Sequence, residues 1–500
     1  MSLAVTYCRA GVGVSAPLVT VEVHVSNGLP GLSIVGLAEA AVKESKDRVR
    51  GAILNSHFEF PAKRITINLA PADLPKEGAR FDLAIAIGVL LASGQIEASN
   101  IEEYEFIGEL ALSGDLRPVA GVLPVAMQSK LAGKKLILSQ ENSPEASLID
   151  GLESYPATCL IDVCQHLSGQ QKLSINKAEP SLSSQQYIAD MKDVKFQYQA
   201  KRALEIAAAG GHSLLFIGPP GTGKTMLATR LPGILPEMSE EEATEAAAIQ
   251  SISSQGFDAK NWKQRAFRSP HHTASGVALV GGGSSPKPGE ISLAHHGVLF
   301  LDEFPEFSRQ VLEVLREPLE SGRIVISRAA RQAEYPAKFQ LVAAMNPCPC
   351  GYFGDSSGKC NCNEEKVARY RNKISGPIMD RIDIHIEVPR VKNISEDDAE
   401  AKLEGSEEIK KRVAKCRDLQ LQRTGKCNAQ MDVKEIEATC QLNDTEKKFL
   451  MNAIERLNLS SRAYHRVLKV ARTIADLRVS KNIEMTDLAE AVNYRRLDRS

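Results

Sequence analysis

The stretch Gly218-Pro219-Pro220-Gly221-Thr222-Gly223-Lys224-Thr225 constrains this chain more than any other, because it follows directly on the apolar run Ser213-Leu-Leu-Phe-Ile217. A buried strand that empties into a glycine turn and then into a helix, Met226 to Leu231, is the context a phosphate loop requires. The glycines let the backbone curl until successive N–H groups point at phosphate oxygens. The helix N-terminus adds a favourable dipole, Lys224 brings a mobile positive charge to the β- and γ-phosphates, and the Thr225 hydroxyl is a ligand for Mg²⁺. The pattern predicts a nucleotide-binding α/β core that takes ATP or GTP.

A second strand-like run, Val298-Leu-Phe-Leu301, ends in Asp302-Glu303. Beside a phosphate loop, Asp302 is placed to order the Mg²⁺ shell and Glu303 to polarise a water for in-line attack. The plainer alternative is a solvated acidic turn after a core strand. The acidic pair favours an ATPase over a small GTPase, and the chain has no guanine-reading NKxD element.

At 500 residues the chain exceeds what one hydrophobic core organises. Its net charge of −1 provides no global basic field, so any nucleic-acid contact has to come from local patches. The first residues lack a basic segment followed by an apolar core, and no apolar run approaches the ~18 residues of a membrane span. These features predict a cytoplasmic protein with no membrane partner. Six of the ten cysteines are scattered. Cys348, Cys350, Cys360 and Cys362 instead form C-x-C-x9-C-x-C around Gly351, Gly354 and Gly358. Two close thiolate pairs across a glycine-rich turn suit tetrahedral Zn²⁺, with an iron–sulfur cluster, coincidental clustering or an adventitious disulfide pair as the alternatives.

Residues 1–170 read as an α/β domain, with strands at Thr20–Val25, Ile65–Leu69 and Lys134–Leu138 and a buried helix over Phe81–Leu91. A polar stretch at 171–187 reads as a linker, 188–392 as the nucleotide-binding core, and 393–500 as helical, with a charged helix from Glu396 to Arg423. Val467, Val470, Ile474 and Leu477 make one apolar stripe near the end of the chain.

Four further stretches occur in order around the phosphate loop: Phe267-Arg-Ser-Pro-His-His-Thr273, Gly289 to Phe304, Ala344-Met-Asn-Pro-Cys-Pro-Cys-Gly351 and Ser375-Gly-Pro-Ile-Met-Asp-Arg-Ile-Asp383. With them the chain resembles, over essentially its full length, the magnesium-chelatase-like AAA+ ATPases of the ComM/YifB type. The resemblance implies a Lon-protease-like N-terminal α/β domain, an AAA+ core and a C-terminal helical lid. It gives Asn346 the sensor-1 role of positioning the attacking water, where the bland alternative is an asparagine opening a turn before Pro347. Arg381 resembles the arginine finger that reaches a neighbour's γ-phosphate, which implies a ring, usually a hexamer; otherwise it pairs within the chain with Asp380 or Asp383. Arg462 resembles the sensor-2 arginine of the lid, and Arg466, one helical turn on, could share that role. The four cysteines match a metal-binding insertion of ComM-like members, whereas His271-His272 and His295-His296 receive no role.

The segment Gly322–Tyr335 resembles the pre-sensor-1 hairpin of this clade, its short turn carrying Arg328 and Arg331 toward a central pore where they would track a phosphate backbone. In the N-terminal domain, Arg80 and Leu123 stand where a Lon-type protease has its serine and lysine, so no activated hydroxyl is expected. The leading expectation is a hexameric ATP-driven translocase of single-stranded or branched DNA, a branch-migration helicase in recombination during DNA uptake, working with recombination proteins. A chelatase-like motor acting on a protein partner is the alternative, and an ATP-dependent protease the weaker one. ATP, Mg²⁺ and a structural Zn²⁺ are the expected cofactors.

Overall fold

The fold is seen in a computed structural model that describes residues 2–37, 39–176, 189–283, 286–328, 331–355, 358–390, 404–457 and 459–495. Most of the expected linker and residues 393–403 of the expected helical region lie outside the described residues. The chain divides into two compact units, Met1–Ser184 with Glu240–Trp262 and Pro286–Pro288, and Gln185–Ser239 with Lys263–Ser285 and Gly289–Ser500.

In the first unit, alternation along Leu18–Ser26 puts Val19, Val21, Val23 and Val25 on one buried face. This strand pairs antiparallel with Ser2–Arg9 and with Arg64–Ala70, and Gly31–Val35 adds in parallel to the latter. The helix Asp82–Ala92 is apolar nearly all round and is accordingly buried in the same core. A parallel sheet of Tyr104–Phe106, Lys135–Ser139 and Ser154–Ala157 completes the unit. The buried Arg9–Glu105 ion pair, at 2.7 Å, ties the two sheets together. Arg80 donates to the Ala120 carbonyl at 3.0 Å, and Leu123 is fully buried.

Residues 240–262 interrupt the 188–392 stretch and pack in this first unit. Their helix, Glu240–Ser251, buries the small side chains Ala243, Ala246, Ala247 and Ala248 and packs against the helix Val122–Leu131. The Gly121 N–H donates to the Ser251 carbonyl at 3.1 Å.

The second unit centres on a parallel sheet in the order Phe267–Arg268, Val298–Leu301, Gln340–Met345, Leu214–Ile217, Ile384–Glu387. The apolar runs read from the sequence form its three central strands, each buried along its whole length, as central parallel strands must be. The helices Tyr198–Gly210, Ser406–Thr424, Ser461–Leu477 and Met485–Asn493 share one core with that sheet, to which the stripe Val467, Val470 and Ile474 contributes.

A buried carboxylate joins sheet and helices. Asp383 faces His212 Nδ1 at 3.2 Å, accepts the Ser213 N–H at 3.3 Å, and is paired with Arg466. The other ring nitrogen of His212 lies 2.8 Å from Thr473 Oγ1 on the helix Ser461–Leu477. Burial works to raise the Asp383 carboxyl, but Arg466 first and His212 second outweigh it and hold the group well below the usual carboxylate range. A depressed native value means that the ionised form stabilises the fold above the unfolded value of about 3.9, and that this contribution is lost as pH falls toward the native value. Asp383→Ala leaves Arg466 and His212 without their buried partner and should cost about 3–5 kcal/mol, read as a lower chemical-denaturation midpoint. The difference from the parent should shrink as the pH is taken below the ordinary carboxylate range.

Candidate active site

All five strands run in one direction, so the residues that follow Ile217, Leu301 and Met345 emerge together at one sheet edge. A Cβ on Gly218 would lie 2.2 Å from the Val388 carbonyl oxygen, so glycine alone lets the loop leave its strand there. Gly221 and Gly223 adopt φ of 77° and 87°, and Thr222 Oγ1 donates to the Pro219 carbonyl at 3.0 Å to close the turn.

Lys224 opens the helix Lys224–Ile234 and folds back over the loop. Its ammonium donates to the carbonyls of Gly218 and Pro219 at 2.6 and 2.9 Å and to Asn346 Oδ1 at 3.2 Å. Burial pushes that ammonium below the ordinary lysine value, and Asp302 opposes the shift. Thr225 Oγ1 donates to Asp302 Oδ2 at 2.7 Å, which brings two hard oxygen ligands to one point at the mouth of the loop. Asn346 follows the strand Gln340–Met345 and reaches Lys224 from the neighbouring strand.

Glu303 occupies left-handed backbone, φ 51°, and its N–H donates to Asp302 Oδ1 at 2.9 Å. Its carboxylate is 54% exposed and lies 2.9 Å from His272 Nδ1. This contact escaped the sequence reading, which gave the histidine pairs no role. A usable signal was present: His272 follows the strand Phe267–Arg268, which pairs in parallel with Val298–Leu301, so it leaves the sheet at the same edge as Glu303. The edge thus offers a cation for phosphate charge, two oxygen ligands for Mg²⁺, a solvent-facing carboxylate and an amide.

The arginines are arranged differently. The Arg381 guanidinium is only 6% exposed and is held by Glu320 and by the Pro377 carbonyl. Its intrachain partner is therefore Glu320 rather than Asp380 or Asp383. Arg466 engages Asp383 and donates to the Arg381 carbonyl at 2.9 Å, whereas Arg462, on the same helix, is exposed. The hairpin pairs Arg323–Arg328 with Arg331–Pro336, burying Ile324, Ile326, Ala333 and Tyr335 on one face. The backbone sets Arg328 opposite Arg331 at the last rung before the turn, and their side chains lie outside the described residues.

The sulfurs of Cys348, Cys350, Cys360 and Cys362 all lie within 4.8 Å of one another. Cys348 is 3.3 Å from Cys350 and 3.9 Å from Cys360, and Cys350 is 3.6 Å from Cys360. Tetrahedral Zn²⁺ with Zn–S bonds of about 2.3 Å sets its sulfurs roughly 3.8 Å apart, so this donor set fits the ion in chemistry and spacing. Backbone N–H groups of Tyr352 and Asn361 lower the Cys350 thiol, whereas at Cys360 and Cys362 the backbone hydrogen bonds are outweighed by desolvation and the neighbouring cysteines, which raise those thiols, so the spacing of the sulfurs is what fits the ion.

Residues 190–396 match the family described as magnesium chelatase, subunit ChlI, residues 21–142 match subunit ChlI of Mg-chelatase, and residues 403–495 match its C-terminal region. The competence protein ComM of Haemophilus influenzae is 53% identical over 503 residues, covering 100% of this chain and 98% of that protein. The uncharacterised protein YifB of Escherichia coli is 51% identical over 499 residues, again 100% and 98%. The chain belongs to the magnesium-chelatase-like ComM/YifB family. Lon protease 2 of Bacillus subtilis is 25% identical over 198 residues, 35% of this chain and 36% of that protein. No described helix is long and apolar enough to cross a membrane.

Removing the Lys224 ammonium should abolish tight nucleotide binding, whereas Glu303→Gln should bind ATP and fail to hydrolyse it, since the carboxylate acts only on the water. Fluorescent-nucleotide titration beside phosphate release separates the two, and an E303Q protein with parental turnover would refute the role of Glu303. His272→Ala frees that carboxylate from its 2.9 Å partner and should lower turnover roughly 10-fold while sparing ATP affinity.

Proposed function

We propose that the chain is an AAA+ ATPase that works as a hexameric ring and drives single-stranded or branched DNA through its pore. The convergence of Lys224, Thr225, Asp302, Glu303 and Asn346 on one sheet edge is the observation that carries the ATPase reading. Thr225 and Asp302 would hold Mg²⁺, which when bound would supply charge neutralisation. Lys224 compensates the remaining phosphate charge, Asn346 orients the water, and Glu303 accepts its proton. Arg381 completes a neighbour's site after exchanging Glu320 for a γ-phosphate, and Arg462 or Arg466 acts from the helical lid. Cys348, Cys350, Cys360 and Cys362 would hold a structural zinc.

The DNA reading rests on the hairpin and on the relative named a competence protein. Arg328 and Arg331 flank the hairpin turn, and a groove of about 780 Å³ lined by His272, Gly276, Val311 and Val325 lies between that hairpin and the catalytic edge. Strand movement by the arginines would serve recombination of incoming DNA during transformation, in the cytoplasm. The match of residues 190–396 to a magnesium-chelatase subunit favours a second reading, a motor that remodels a protein partner.

Stimulation of ATP turnover by single-stranded, duplex or four-way-junction DNA decides between them, and no stimulation by any DNA defeats the translocase. Changing both Arg328 and Arg331 to Ala should spare basal hydrolysis and remove DNA stimulation and junction migration, because phosphate contacts are sequence-independent and strongly salt-dependent. Mixing Arg381→Ala with Lys224→Ala subunits should restore partial activity, since some interfaces then pair an intact loop with an intact finger. A mixture that stays inactive although both variants assemble places the finger elsewhere.

A further inference from the structure

The four-cysteine loop is built into the nucleotide site. Pro347 alone separates Asn346, which touches Lys224, from the ligand Cys348. Gly351 is buried with φ 85°, and a Cβ there would lie 2.8 Å from Pro220 Cδ and 3.9 Å from the Asn346 side chain. The loop backbone therefore sits directly against the phosphate loop on one side. On the other, Arg371 Nε donates to the Pro347 carbonyl at 3.4 Å, its guanidinium lies 5.9 Å from the Phe353 ring centre, and a backbone hydrogen bond from Asn346 engages the buried Tyr370 hydroxyl. The Phe353 N–H donates to Cys348 Sγ at 3.3 Å, so the same loop encloses a ligand sulfur.

Between Met345 and Asn363 the described residues form neither helix nor strand, and three of them are glycines with positive φ. A backbone of that kind has little to hold it in one conformation unless something cross-links it. We propose that the Cys348, Cys350, Cys360 and Cys362 centre is a positioning element of the ATP site. A thiophilic dication held there fixes the loop that seats Asn346 on Lys224 and backs the phosphate loop at Pro220. The inference rests on the zinc reading of the cysteines and extends it from local folding to ATP hydrolysis. Cys348, Gly351 and Asn346 then act as one unit, and the metal tunes hydrolysis without touching nucleotide.

A pair of glycines supplies the test in the full-length protein. Gly354 has φ 78° and nothing within 4 Å of where its Cβ would stand. Gly351→Ala and Gly354→Ala therefore impose similar backbone strain, but only the first drives a methyl group into Pro220. Both should retain one zinc per chain by elemental analysis. G354A should hydrolyse ATP at close to the parental rate, while G351A should lose roughly 10-fold in turnover and show faster amide hydrogen exchange over residues 218–223. Cys360→Ala should lose the metal and reproduce both effects, and adding Pro220→Ala to G351A should recover part of the protection. Equal turnover and exchange in G351A and G354A with metal in place, or a metal-free C360A with parental turnover and exchange, overturns the positioning role and leaves the zinc reading standing. A parent protein purified without chelators that holds no metal removes the zinc reading and this inference with it.

Discussion

Parallel strands leave their carboxyl ends at one edge, and the pairing of Leu214–Ile217 between Gln340–Met345 and Ile384–Glu387 determines which residues meet there. Lys224 and Asn346 come from adjacent strand ends and touch, and Thr225 reaches Asp302 from one strand further along. A slip of one residue in any of these registers would shift the polar residue at the strand's end by about 3.3 Å and turn it to the other face of the sheet, away from the loop. The buried runs therefore do two things at once: they give the core its apolar mass and they set Lys224 within hydrogen-bonding distance of Asn346, and Thr225 of Asp302.

The residues at that edge were legible in the sequence because each ends a short run that is buried on every side. Four or five apolar residues bounded by Gly218, by Asp302-Glu303 or by Asn346-Pro347 have the length and the flanking residues of a buried parallel strand, and the residue that ends such a strand lies at the edge. The cysteine cluster was legible for a similar reason, since thiol spacing is local. What stayed hidden depends on contacts between distant segments. His272 meets Glu303, Arg381 meets Glu320, and Asp383 meets both His212 and Arg466, and no periodicity records such pairings. Residues 240–262 were hidden for another reason. Their alanine-rich helix carries no strong apolar stripe, so its sequence does not say in which unit it packs.

The segment from Arg381 to Val388 connects these hidden contacts to the legible site. At one end the Arg381 carbonyl accepts from Ser213 Oγ and from Arg466, and Asp383 pairs with His212, Ser213 and Arg466. At the other end the Val388 carbonyl stands where a side chain on Gly218 would have to go. One short stretch thus backs the first turn of the phosphate loop while its opposite end anchors the helix Ser461–Leu477. Arg381 reaches outward only by leaving Glu320 and the Pro377 carbonyl, which ties any contact it makes with a neighbour to the packing of this stretch. Arg381, Asp383 and Val388 are all buried, so the whole stretch is part of a closely packed interior. The Arg381 side chain is in this way covalently continuous with the segments that back the phosphate loop and anchor the helix Ser461–Leu477.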